Sequence, residues 1–279
     1  MTTTISFSTL LRLLDDDTPA VRAMVAEKLQ EYGGDVSEML IECPQALSDE
    51  EKEILSDLLK PARRENLLLD WEVPQRGWRV MHDDWEHLES CLRQISDYLH
   101  DGVSLRPPLP DQLDMLADEA RPVIEHAGID GLRIYLFQSG RLQGNHSHYQ
   151  DPRNSDLAWC IENGVSNPIG LALIFILVAQ RLGLEVDGVN NPGHFLCRVH
   201  HGGQPFLVDC FHLGELHSIH QIMASNNVAD DHIALLIEGV ATPGEILLRV
   251  LRNLQHALKN QGEEEDAALI HMLFESLKP

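Results

Sequence analysis

The run Ile169-Gly-Leu-Ala-Leu-Ile-Phe-Ile-Leu-Val-Ala179 constrains this 279-residue chain more than any other stretch. It is apolar all round, so a helix built from it has no face to offer water and must lie inside the protein. Asn167 suits the N-cap and Pro168 the first helical position, which predicts a central helix over 168–182. After Gly183 the period changes. Asp187-Gly188 and Asn190-Asn191-Pro192-Gly193 punctuate the chain, and His194 to Val199 and Pro205 to Phe211 then read as two short strands joined by His201-Gly202-Gly203.

A buried helix, then a strand opening with His, then a strand carrying Asp is the layout of a Cys-His-Asp hydrolase of the papain and transglutaminase kind. In that layout the thiol sits at the helix N-terminus, where the helix dipole and an imidazole favour thiolate, and the Asp orients the His. His194 and Asp209 fall in the expected places, but positions 166 to 170 are Ser, Asn, Pro, Ile and Gly. Strand alternation turns Cys197 away from His194 and Cys210 away from Asp209. Two stand-in nucleophiles remain: Cys160, in the short helical stretch Asp156 to Ile161, and Ser166. Either must come within hydrogen-bond reach of His194 to act. Without one, His194 and Asp209 are a hydrogen-bonded pair that holds the strands in register or contacts a ligand.

The segments Gly144-Asn145, Tyr149 to Ser155, Pro168 to Ala172, Arg181 to Leu184, Pro192 to Leu196 and Val208-Asp209 together resemble the SirB-type transglutaminase-like proteins, a bacterial group. The resemblance runs from Leu109 to Pro279. It implies an α+β fold, a papain/transglutaminase-like core in which a buried central helix packs on a small antiparallel sheet, with helical N- and C-terminal extensions. It also implies a site in which the thiol is commonly missing. This chain departs from the family twice. The loop Glu162 to Gly170 before the central helix is longer and less basic, and Asp209-Cys210-Phe211 stands where Asp-Pro-Phe is usual.

Composition narrows the partners. With 21 Lys+Arg against 44 Asp+Glu the formal charge is -23, which disfavours nucleic acid and anionic membrane surfaces alike. The apolar run is too short to cross about 30 Å of hydrocarbon, and the first residues show no signal-peptide pattern, so a cytoplasmic protein is expected. The odd number of scattered cysteines, five with no Cys-x-x-Cys, fits reduced thiols. Fifteen histidines include His146, His148, His200, His201, His212, His217 and His220, but none has metal-motif spacing, so neither a metal nor a cofactor is expected. Asn145, Tyr149, Asn154 and Ser155 read as loop residues that satisfy backbone groups and cap the next helix.

Either side of this core the pattern is helical. Leu10 to Leu14, a turn at Asp15-Asp-Asp-Thr-Pro19, and Val21 to Leu29 are similar to a HEAT-type hairpin. Glu50 to Leu59 and Asp84 to Leu99 continue the helical pattern, and Arg106-Pro-Pro-Leu-Pro110 reads as a linker. Gln112 to Ala127 predicts a helix ended by Gly128, and Gly131 to Phe137 fits helix or strand. Thr242-Pro-Gly-Glu245 to Leu258, then Glu264 to Leu277, resemble a tetratricopeptide-type pair. The expected division is 1–75 HEAT-like, 76–240 transglutaminase-like and 241–279 TPR-like. Two functions follow: a non-catalytic protein or peptide binder, and an amide hydrolase or transferase using Cys160 or Ser166 with His194 and Asp209.

Overall fold

A computed structural model describes residues 6–43, 46–74, 76–190, 194–218 and 239–278. They fall into two compact units. The first holds the described residues up to Glu72 together with Asp97–Arg106, and the second holds Val73–Ser96 and everything described from Pro107 onward. The C-terminal segment from residue 241 therefore lies within the second unit. The punctuating residues Asn191 to Gly193, and His220, lie outside the described residues.

In the first unit, α1 (Phe7–Leu11) and α2 (Pro19–Gln30) are joined by the expected aspartate turn, where the Asp16 carboxylate accepts the Thr18 N–H at 2.7 Å. After α3 (Ser37–Ile41), α4 (Asp49–Asp70) opens with a capping box between Ser48 and Glu51. It extends the expected helical stretch Glu50 to Leu59 through Pro61 to Asp70. The reason is that the buried stripe Leu55, Leu59, Ala62 and Leu67 continues at helical spacing. Phe7, Leu10, Val25, Leu29, Leu55 and Leu59 form one apolar cluster. Arg63 is buried beside it, its guanidinium donating to the carbonyls of Asp101 at 2.9 Å and Ser56 at 3.1 Å.

The second unit is arranged around the expected central helix, α8 (Pro168–Arg181), whose every residue from Pro168 to Ala179 is buried. Asn167 caps it, accepting the Gly170 N–H at 2.9 Å. Before it come α5 (Trp85–Leu99), α6 (Leu109–Arg133), β1 (Gln143–Gly144), α7 (Leu157–Asn163) and β2 (Val165–Ser166), and β1 and β2 pair in parallel. The chain does not leave the helix at Gly128. Gly128 takes φ 55°, kinks α6, and the backbone continues helically to Arg133 and through a π-type turn at Ile134–Gln138. This resolves the helix-or-strand ambiguity at Gly131 to Phe137. Leu132, Leu136 and Phe137 are fully buried there, and Phe137 stands edge-on to Phe175 of α8 at 5.6 Å.

Beyond α8, β3 (Asp187–Val189), β4 (Leu196–His201), β5 (Gln204–Asp209) and β6 (Glu215–Ser218) form an antiparallel sheet in sequence order. Gly202 and Gly203, at φ 58° and 78°, make the two-residue β4–β5 turn, which requires positive φ at both positions. Cys197 faces α8, its Sγ 3.8 Å from the Ala172 carbonyl, as alternation predicts. Arg181 closes the other end of α8, pairing with Glu89 of α5 and Asp114 of α6 at 2.6 Å each. The closing hairpin, α9 (Pro243–Gln261) and α10 (Glu264–Ser276), turns at Gly262 and docks through hydrogen bonds from Ala241 N–H to the Gly188 carbonyl and from Trp78 N–H to the Leu277 carbonyl, 2.8 Å each.

If α8 is the interior rod, its contents set the stability of this unit. Phe175→Ala is expected to cost about 3–5 kcal/mol and Asn167→Ala about 1 kcal/mol in urea unfolding of the full chain. A Phe175→Ala loss below about 1 kcal/mol would mean that the helix is not enclosed as described.

Candidate functional site

The site is assembled where β5 ends. Asp209 is the last residue of β5, and its Oδ1 accepts the backbone N–H groups of Phe211 and His212, both at 3.1 Å. This aspartate turn fixes the carboxylate and leaves Oδ2 pointing at two imidazoles. His194 Nε2 and His212 Nδ1 each lie 2.8 Å from Oδ2. The turn is held from behind, because Arg133 Nη1 donates to the Gly214 carbonyl at 2.8 Å. A side chain on Gly214 would also strike Phe137, with a Cβ only 2.8 Å from its ring.

Burial alone would raise the Asp209 pKa, but hydrogen bonds from His194 and then His212 more than reverse this and hold it well below the usual carboxylate range. At neutral pH Asp209 is therefore ionised and can only accept. It follows that His194 carries its shared proton on Nε2 and His212 on Nδ1. In the neutral rings the basic atoms are His194 Nδ1 and His212 Nε2. A general base of the papain kind presents its lone pair in this way, with the aspartate holding the tautomer.

What the lone pair would act on is a different matter. Cys160 is fully buried, with Sγ 3.4 Å from the Arg153 carbonyl oxygen and 3.6 Å from that of Asn154. Ser166 is equally buried and donates its hydroxyl to the Asn154 carbonyl at 3.0 Å. The structure brings His194 and Asp209 together, and it sets Cys160 and Ser166 against the backbone of the Pro152–Ser155 turn. Cys197 and Cys210 lie with their sulfurs 3.8 Å apart, both fully buried, and burial pushes the Cys210 thiol well up. Among the described residues, no cysteine is exposed.

One wall of the site is aromatic. Phe211 meets His146 at 4.5 Å, Tyr149 at 5.8 Å and His194 at 6.4 Å between ring centres, each edge to face. The loop carrying His146 and Tyr149 is shaped by asparagines, as the sequence implied. Asn145 Nδ2 donates to Asn154 Oδ1 at 2.9 Å, and Asn154 Nδ2 donates to the carbonyls of His148 at 2.9 Å and Tyr149 at 3.0 Å. The cap of α7 is supplied by Asp156, which accepts the Trp159 N–H at 3.0 Å, and not by Asn154 or Ser155. This loop and the end of α9 enclose an open cleft of about 490 Å³, lined by His146, Tyr149, Gln150 and Asn260 among others. His212 entered the sequence reading only as one of several nearby histidines. Its spacing of three from Asp209, across a turn, was the signal that ties it to the site.

The sequence profile of the transglutaminase-like superfamily matches residues 109–252, just over half of the chain. The chain belongs to the transglutaminase-like superfamily. The matched region starts at α6 and takes in α8, the four-stranded sheet, His194 and Asp209. A UPF0162 protein of Xylella fastidiosa (strain 9a5c) is 40% identical over 140 residues, 48% of this chain and 50% of that protein. A UPF0162 protein of Pseudomonas aeruginosa is 31% identical over 121 residues, 40% of this chain and 42% of that protein. Human F-box only protein 21 is 22% identical over 199 residues, 68% of this chain and 31% of that protein. The chain thus spans about half the length, or less, of these curated relatives. No solved structure matches it significantly. Among the described residues no helix is long and apolar enough to cross a membrane.

The depressed Asp209 pKa has a pH signature. Its contribution to stability is complete above the unfolded-state value of about 3.9 and is lost as the pH falls from there through the folded-state value. Asp209→Asn is therefore expected to destabilise the chain by about 2 kcal/mol at pH 7, with the gap to wild type narrowing only below about pH 3.9. Urea unfolding at pH 7, 5 and 3 reads this directly, and a gap unchanged at pH 3 would contradict an ionised Asp209.

Proposed function

We propose that this is a SirB-type transglutaminase-like protein that binds a protein or peptide, without breaking amide bonds, in the cleft of the His146–Asp151 loop, which Phe211 connects to His194. One observation carries the reading. The base and its orienting carboxylate are kept at hydrogen-bond distance, while both stand-in nucleophiles are fully buried with their donors turned to backbone carbonyls. An amide hydrolase using Cys160 or Ser166 would have to withdraw that side chain from the Pro152–Ser155 turn, breaking up the packing that positions the loop. A binder needs no such change.

The cleft suits an extended polypeptide. It is open, it offers amide groups from Gln150 and Asn260 that hydrogen-bond to each other at 2.8 Å, and it is floored by the exposed rings of His146 and Tyr149. Side-chain amides can pair with a peptide backbone and aromatic rings can bury an apolar side chain, the usual division of labour in such sites. The net charge of -23 favours a basic or neutral peptide over an acidic one.

The test pairs turnover with binding. Mass spectrometry of glutamine- and lysine-containing peptides incubated with the chain should show neither hydrolysis nor cross-linking, for wild type and His194→Ala alike. A fluorescent peptide library should yield ligands whose affinity falls about tenfold or more in Tyr149→Ala, roughly the loss of one aromatic contact. Turnover abolished by His194→Ala, or a library that yields no ligand, would contradict the proposal.

A further inference from the structure

Three candidate ligand atoms, His194 Nε2, Asp209 Oδ2 and His212 Nδ1, lie within 4.8 Å of one another, and both imidazole nitrogens are 2.8 Å from the same carboxylate oxygen. Two histidines and one carboxylate are a donor set used for divalent first-row transition metals. We propose that His194, Asp209 and His212 form a binding site for such an ion, Co²⁺, Fe²⁺, Ni²⁺ or Zn²⁺ in chemical class. The inference goes beyond peptide binding and does not depend on it.

The geometry favours a cation over a merely hydrogen-bonded trio on four counts. The donors converge. At metal–donor distances of about 2.1 Å, each of the two 2.8 Å nitrogen–oxygen separations subtends an angle of about 84° at the metal, close to that between neighbouring positions of an octahedron. The carboxylate is preset, because two backbone N–H groups hold Oδ1 and leave Oδ2 as the ligand atom, which is the outer support a metal-binding carboxylate normally has.

The other two counts are access and charge. The His212 side chain is 56% exposed and that of His194 26%, against 11% for Asp209, so an ion can enter from the solvent side and keep water on its open positions. An overall charge of -23 draws cations to the molecule. Binding requires both rings to change tautomer. The proton on His194 Nε2 moves to its Nδ1 and that on His212 Nδ1 moves to its Nε2, so both rings stay neutral and the metal takes the place of the two shared hydrogens. Its members are 15 and three residues apart in the chain: His194 precedes β4, Asp209 ends β5 and His212 lies in the turn that follows.

The test uses the full chain stripped with EDTA and titrated with Co²⁺ and with Zn²⁺, without any peptide. About one equivalent of Co²⁺ is expected to bind and to give visible ligand-field bands, and His212→Ala, at an exposed position that leaves no cavity, should weaken binding by about tenfold or more. A His200→Ala/His201→Ala double variant controls for the other adjacent pair of histidines and should bind as wild type does. Absence of saturable binding by wild type, or binding that survives His212→Ala and is lost in the double variant, would overturn the proposal.

Discussion

A helix with no polar side has to be covered in every direction, and α8 imposes that demand on the whole second unit. From Pro168 to Ala179 no residue reaches solvent, so α6, α7, the sheet and the turn around Phe137 are all held where they can cover it. Its two ends show how the remaining polar groups are satisfied. Asn167 supplies the acceptor that the first turn lacks, and Arg181 takes two carboxylates from neighbouring helices. The sheet lies on α8 through Cys197, and this sets the opposite strand face and the β5–β6 turn as the place where polar chemistry can gather.

At that turn a single carboxylate organises the site. Asp209 receives two backbone N–H groups on one oxygen and two imidazoles on the other, and its ionisation fixes the tautomer of both rings. The arrangement is what a hydrolytic dyad requires of its aspartate. Among the described residues, the two best placed in sequence to act as its nucleophile, Cys160 and Ser166, have their donors engaged by the carbonyls of Arg153 and Asn154. Membership of the transglutaminase-like superfamily accounts for the scaffold, and the burial of those two side chains accounts for reading it as a binding protein.

The parts legible in the sequence were those governed by local rules. An all-apolar run with Asn-Pro before it is a capped interior helix, paired glycines between alternating strands are a hairpin, and alternation alone placed Cys197 and Cys210 on the side away from His194 and Asp209. The parts that were not legible depend on distant packing. Gly128 looked like a helix stop, yet it only kinks α6, because Leu132, Leu136 and Phe137 beyond it have an apolar surface to meet. The pairing of His212 with Asp209 was marked only by a spacing of three and needed the turn geometry, and the enclosure of Cys160 needed the Pro152–Ser155 turn.

The account stands on the claim that no thiol is poised as a nucleophile beside His194. The rate of iodoacetamide labelling of each cysteine in the native chain at pH 7, read by mass spectrometry, addresses it most directly. Cys160, Cys197 and Cys210 should label far more slowly than in the unfolded chain, as buried thiols do, and His194→Ala should leave those rates unchanged. A cysteine that labels faster than a free thiol, and loses that reactivity in His194→Ala, would contradict the account.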